Sequence, residues 1–260
     1  MKKFISDIGD VKTETVYYLP WIFENYEIFE YSTGHEKWNP DSRFIVGKGQ
    51  PTFARKAQND FLTYEWQKEI CLSSDNSSFL QQVLTLGRKL CIDDKYSRST
   101  FGEREINLAL KFTRKYGLNC DQLFDLHMKN GEPAPHPHGC SLWNLLKSIQ
   151  TVYLDWKKMN SISDNYANIN EIDLIHASPH SALSSECLFS SKQKKFVTFL
   201  SANSLLDIAR YQLGMVMSAG VYVRKCANPE CCGMIVGGRK DKKTCSDACR
   251  QALSRLLREG

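Results

Sequence analysis

Five of the ten cysteines in the chain lie between Cys226 and Cys249, in the stretch CANPECCGMIVGGRKDKKTCSDAC. They fall into two pairs. Cys226 and Cys231 enclose four residues, Cys245 and Cys249 enclose three, and thirteen residues separate the pairs. Cys232 is a competing ligand that would widen the first spacing to five. Four thiolates arranged as two such pairs suit a tetrahedral zinc ion, and a closed shell of four protein ligands leaves no open position for catalysis. The expected cofactor is therefore a structural Zn²⁺. Pro229 would help the first pair turn back, MetIleVal (234–236) would form one arm of a hairpin, GlyGly (237–238) its turn and ArgLysAspLysLys (239–243) its return. Ser246 is placed to cap a helix that Asp247 favours at its positive end, with Cys249 in the first turn. Knuckle, hairpin and ligand-bearing helix together are a treble clef. So short a segment has little core of its own, so metal would supply much of its stability.

Charge is concentrated in the same place. Of 34 Lys/Arg and 29 Asp/Glu, nine and four lie from Arg224 onward, leaving 25 of each among residues 1–223. The net charge of +5 thus sits in the last 37 residues. A basic module of this kind expects a polyanionic partner. Lys240, Lys242 and Lys243 crowd the loop with Arg239, and Arg250, Arg255 and Arg258 project from the helix opposite Leu253, Leu256 and Leu257. Loop and helix together offer phosphate contacts, which makes DNA the expected partner.

The remainder reads as a globular body. Hydrophobic content of 42% and charged content of 24% are ordinary for a soluble domain. No apolar run approaches the roughly 18 residues needed to cross a bilayer. Asp7 and Asp10 interrupt the start, so neither a signal peptide nor a membrane anchor is expected. A cytoplasmic location, where thiols stay reduced, favours metal ligation over disulfides. Helical spacing predicts helices over 52–71, 77–92, 103–116, 141–159 and 203–219, with Ser77 or Ser78 capping the second and Gly117 ending the third. Strands are expected at 13–19, 44–46 and 196–200, and a short one at 172–176, with a turn at Asn39-Pro40. Three prolines make 131–139 a loop, and 160–185 is expected to be loop-like. The fold class is then α+β: a mainly helical body with some strands over 1–222, and a zinc-finger module over 223–260 on a short, stiff connection.

From Val223 to Cys231 the sequence, ValArgLysCysAlaAsnProGluCys, resembles the CGNR-type zinc fingers at the C-terminus of bacterial proteins with an ABATE domain. ThrCysSerAspAlaCysArgGln (244–251) is similar to the second half of that finger. The segment from PheValThrPheLeu (196–200) to Arg210 resembles the end of the ABATE domain, so the likeness covers about residues 195–260. At the family's namesake Cys-Gly-Asn-Arg this chain has Cys249-Arg250-Gln251-Ala252, closer to other bacterial treble-clef modules. The resemblance implies Cys226, Cys231, Cys245 and Cys249 as the zinc ligands. It also implies a transcription regulator whose N-terminal part senses a small-molecule ligand.

Other features carry less. His136, His138 and Cys140 form an H-x-H-x-C run that could hold a second metal, although isolated loop histidines are more often polar surface. His176 and His180 flank a proline that spoils helical pairing. GlyLysGlyGln (47–50) lacks the spacing of a nucleotide-binding loop, and no G-x-S-x-G elbow is present. The aromatic run at 21–31 is expected in a core or an oligomer contact. The leading expectation is a DNA-binding regulator whose body senses a ligand or forms a homodimer. A protein-docking module and an enzyme with its site in the body are the alternatives.

Overall fold

The computed structural model describes residues 15–18, 23–30, 43–48, 55–58, 61–64, 68–71, 78–91, 101–118, 123–127, 133–166, 183–190, 195–202 and 204–259. In chain order the elements are β1 (Thr15–Tyr18), β2 (Asn25–Glu30), β3 (Arg43–Lys48), β4 (Arg55–Gln58), β5 (Phe61–Tyr64), β6 (Lys68–Cys71), α1 (Ser78–Leu90), α2 (Glu103–Tyr116), β7 (Leu123–His127), β8 (Pro133–Ser141), α3 (Leu142–Tyr166), β9 (Leu183–Ser190), β10 (Lys195–Ala202), α4 (Leu205–Ser218), β11 (Val223–Lys225), β12 (Met234–Val236) and α5 (Asp247–Glu259). Helix and strand are mixed, with more strand in the body than helical periodicity implies. One four-stranded sheet has the order β6-β1-β10-β9, with β1 parallel to β10 and the other neighbours antiparallel. A second, antiparallel throughout, has the order β2-β3-β8-β7. No helix among the described residues is long and apolar enough to cross a membrane.

The helices with clear local signals form where expected. In α1 the buried residues Phe79, Val83, Leu84 and Leu90 follow the helical period. In α2 the Glu105 carboxylate accepts from the Gly102 amide at 2.9 Å, and the Gly117 amide closes the far end on the Thr113 carbonyl at 2.7 Å. In α4 the Leu206 amide donates to the Ser204 hydroxyl at 3.1 Å. Ser77, the Asn39-Pro40 turn and the strand expected at 172–176 lie outside the described residues, as do His176 and His180.

Three expectations are corrected. The helix expected over 52–71 is replaced, where the chain is described, by strands: β4 and β5 pair antiparallel with Gln58 opposite Phe61, and β6 pairs with β1. The proline-rich stretch is not a loop, since β8 covers it and pairs with β7. The β7–β8 register shifts between Asp125, opposite His138, and His127, opposite Pro133, so Pro135 and Pro137 fall where the ladder is irregular and fewer amide donors are called for. Pairing with β3 on the other side involves Gly139, Cys140 and Ser141, beyond the prolines. Residues 160–166 extend α3, and β9 begins at Leu183.

The core lies among α1, α2, α3 and α4, where Leu80, Leu84, Leu146, Ile149, Tyr153 and Ile208 are fully enclosed. Phe23 and Tyr26, from the aromatic run, join it. So do Val223, Met234 and Val236 from the last quarter of the chain. The strands that flank the first cysteine pair therefore share the body's hydrophobic core. α1 makes the contact: the Met234 amide donates to the Thr85 hydroxyl at 3.0 Å, and Arg88 donates to the Gly233 carbonyl at 3.2 Å.

Candidate metal centre

β11 and β12 pair antiparallel, with Val223 facing Val236 and Lys225 facing Met234. The hairpin therefore encloses the first cysteine pair, and the expected return arm at 239–243 is replaced by a turn in which the Lys242 amide donates to the Arg239 carbonyl at 3.0 Å. The reason is physical. A strand with one buried face already precedes Cys226, whereas 239–243 are charged throughout and gain nothing from burial. Gly237 and Gly238, at φ of 72° and 85°, supply the left-handed backbone that turns the chain out of β12.

The knuckle is closed by short-range bonds. The Cys226 amide donates to the Gly233 carbonyl at 2.9 Å and the Cys231 amide to the Asn228 carbonyl at 3.0 Å. The Asn228 side chain accepts from the Glu230 amide at 3.1 Å. Asn228, buried at 5% exposure, organises this turn beside Pro229 and was not singled out by sequence reasoning. Its position just before a proline, where Asx turns are favoured, is the signal that could have found it. The second pair reaches the first through the Ala227 amide, which donates to the Lys243 carbonyl at 2.9 Å. At the start of α5 the Cys249 amide donates to the Ser246 hydroxyl at 3.2 Å, as the N-cap reading expects.

These bonds bring Cys226, Cys231, Cys245 and Cys249 together, with all four sulfurs within 4.8 Å of one another. The Sγ of Cys245 lies 3.6 Å from that of Cys231 and 3.5 Å from that of Cys249. Four sulfurs bound tetrahedrally to zinc at about 2.3 Å stand about 3.8 Å apart, so the cage has the size a zinc ion needs. Cys232 is not one of the four. Backbone amides also point at sulfur: Gly233 donates to Cys231 at 3.2 Å and Cys245 donates to Cys226 at 3.4 Å. Such bonds favour the ionised thiolate, the form that binds metal.

The thiols differ in acidity. Burial pushes Cys245 up to about 12, and hydrogen bonds with its neighbouring sulfurs push the same way. Burial also raises Cys231. Cys249 is lowered to about 7, first by the Ser246 hydroxyl and then by the sulfurs of Cys231 and Cys245. Like charges this close resist joint ionisation, so four thiolates require a cation among them. The cluster could hold a metal ion.

Gly233 sets the tolerance of the cage. A Cβ there would stand 2.7 Å from the Cys245 sulfur and 3.1 Å from the Cys231 sulfur. Gly233→Ala is therefore expected to weaken metal binding at least tenfold, on the scale of other changes that misplace ligands. Competition with a chromogenic chelator measures it, and unchanged affinity would mean that the cage is looser than described.

All seven cations named from the sequence are solvent-exposed: Arg239, Lys240, Lys242 and Lys243 on the turn, and Arg250, Arg255 and Arg258 on α5. Arg250 also contacts the Asp247 carboxylate at 3.2 Å, and Arg239 the Asp241 carboxylate at 3.7 Å; both pairs are well exposed and contribute little to stability. Arg224 holds the turn in place. Its terminal nitrogens donate to the Lys240 carbonyl at 2.7 Å and the Arg239 carbonyl at 2.9 Å. Its guanidinium and the Lys240 ammonium each lie 5.6 Å from the centre of the Tyr222 ring.

Of the H-x-H-x-C run, Cys140 is wholly enclosed, and burial pushes its thiol up to about 12. The side chains of His136 and His138 lie outside the described residues. No family model, curated protein or solved structure matches the chain.

Proposed function

We propose that residues 223–260 form a zinc finger of the treble-clef kind and that the chain is a DNA-binding regulator, with the body sensing a small molecule or dimerising. Zinc is the metal the donor set favours, because four soft thiolates at tetrahedral spacing suit it. The observation that carries the nucleic-acid reading is the exposure of seven cations on two segments that the cysteine cage joins. Sequence likeness to the CGNR-type fingers of ABATE proteins supports the regulatory role. The zinc would be structural, holding the turn and α5 at a set separation so that both reach backbone phosphates.

Binding of the metal-loaded chain to a labelled duplex across a salt series tests the reading. Each phosphate contact contributes about −0.9 to the slope of log K against log salt. Replacing Arg250 and Arg255 together by Ala is expected to make the slope shallower by about 2. A duplex affinity and slope that ignore the pair would remove these residues from the interface.

A second reading has its own observation. Leu256 and Leu257 on α5 are 39% and 76% exposed, an apolar pair on the helix that also carries Arg250, Arg255 and Arg258, a combination that suits an acidic protein partner. Metal-loaded protein that ignores duplex DNA at low salt, yet loses a protein partner on Leu257→Asp, would favour this reading.

A further inference from the structure

We propose that the cleft where α1 and α2 meet the cysteine cage binds a small amphipathic anion, an apolar chain ending in an oxyanion such as a carboxylate. The cleft has a volume of about 380 Å³, at the lower end of the range for small-molecule pockets. Leu86, Leu108 and Phe112 form part of its wall, and Gln82, Lys89 and Lys111 add polar groups. No carboxylate lines it. An apolar wall with a few placed donors is the usual composition of a site that selects a small organic ligand.

The donors are accessible and unspent. Gln82, Lys89 and Lys111 are all solvent-exposed, and neither ammonium has an acceptor among the described residues. The Gln82 side chain is held in one orientation. Its Oε1 accepts from the Lys115 ammonium at 2.6 Å and from the Tyr116 hydroxyl at 2.7 Å. An ammonium can only donate, so the amide oxygen is the atom that faces it. The Gln82 NH2 group is left with two N–H donors and no acceptor among the described residues. Two ammonium groups and an oriented amide, with no carboxylate to take them up, favour an anion. Exposed ion pairs alone hold a ligand weakly, so an apolar chain against the partly buried Leu108 and its neighbours has to supply the rest of the affinity.

The cleft also reaches the metal centre. The partly exposed Cys245 lines it, and so does Thr85, whose hydroxyl accepts from the Met234 amide at 3.0 Å. Arg88, on the same helix, donates to the Gly233 carbonyl at 3.2 Å. An occupant therefore lies against one residue of the cage and against the helix to which the first cysteine pair is tied. Those are the contacts through which a bound ligand would alter the basic module. The proposal deepens the reading of the body as a small-molecule sensor, and in its regulatory consequence it rests on that reading.

Calorimetric titration of the metal-loaded full chain with octanoate, at fixed ionic strength, tests the site. Saturable binding of one octanoate per chain is expected. Acetate, which lacks the chain, and 1-octanol, which lacks the charge, should each bind about tenfold more weakly or less. Lys89→Gln and Lys111→Gln are each expected to weaken octanoate about threefold, as for exposed ion pairs, and the double variant about tenfold. Both positions are exposed, so the variants should fold as the parent does. Octanoate that binds no better than 1-octanol, or whose affinity the double variant leaves unchanged, overturns the site. Octyl phosphate compared with octanoate identifies the head group: tighter binding of the phosphate ester makes the preferred oxyanion a phosphate. Duplex binding measured with and without octanoate separates the site from the regulatory reading. If octanoate binds and duplex affinity does not change, the site stands and the sensor role falls. If the chain binds duplex and ignores octanoate, the site falls alone.

Discussion

Replacing Cys245 with serine is expected to reduce bound metal from one ion per chain to almost none and to release α5 from the rest of the protein. Cys245 is the residue through which the cage is joined. Its sulfur is within 3.6 Å of those of Cys231 and Cys249, and its amide donates to the sulfur of Cys226. A serine hydroxyl at neutral pH is not a thiolate and cannot complete the shell. Structural zinc contributes about 10–16 kcal/mol to folding in small finger peptides, far more than the other contacts of α5 can replace. All three leucines of that helix are at least partly exposed, and Leu257 remains 76% exposed.

The strands should respond differently. Val223, Met234 and Val236 belong to the core shared with α1, and each buried side chain of this kind is worth about 1.5–3 kcal/mol. Loss of metal should therefore leave β11 and β12 partly protected while the turn and α5 open. Hydrogen exchange, with metal content measured on the same sample, separates these segments. Protection should vanish over 239–259 and fall only partly over 223–225 and 234–236. Treating the unaltered chain with a strong chelator should produce the same pattern. Full protection in a metal-free sample would show that packing alone holds the cysteines together.

Gly87→Ala should destabilise the chain by about 2 kcal/mol, against the local rule. In an exposed helix interior alanine is favoured over glycine by about 1 kcal/mol. Gly87 is instead buried, where α1 crosses α3. A Cβ at this position would stand 2.6 Å from the Cβ of Tyr153 and 2.8 Å from the carbonyl oxygen of Ile149. Neither can swing aside: one is held in a fully buried residue and the other is backbone. The helices must part, and overpacking of this kind costs about 1–3 kcal/mol, more than the gain in helix propensity. Urea unfolding of the two proteins measures the difference. A stabilised Gly87→Ala would mean that the two helices cross with more clearance.

What the chain discloses on its own is whatever depends on near neighbours. The two cysteine pairs, the Ser246 cap and the period of α1 and α2 are all set within one or two helical turns, so they are legible from spacing and residue type. The exposed cations follow from composition, because no short stretch so charged is buried. Tertiary structure decided the rest, since pairing between distant segments leaves no local periodicity. Val16 faces Leu200 across β1 and β10, and Cys71 faces Thr15 across β6 and β1. Val236 takes Val223 as its partner instead of the turn that follows it. Cys231, and not its neighbour Cys232, enters the cage because the Asn228 turn and the Gly233 amide orient that sulfur. Gly87 and Gly233 matter only because another part of the chain lies where a methyl group would go. Local chemistry thus determined the candidate ligands and the charge, while excluded volume and long-range strand pairing determined how they are held.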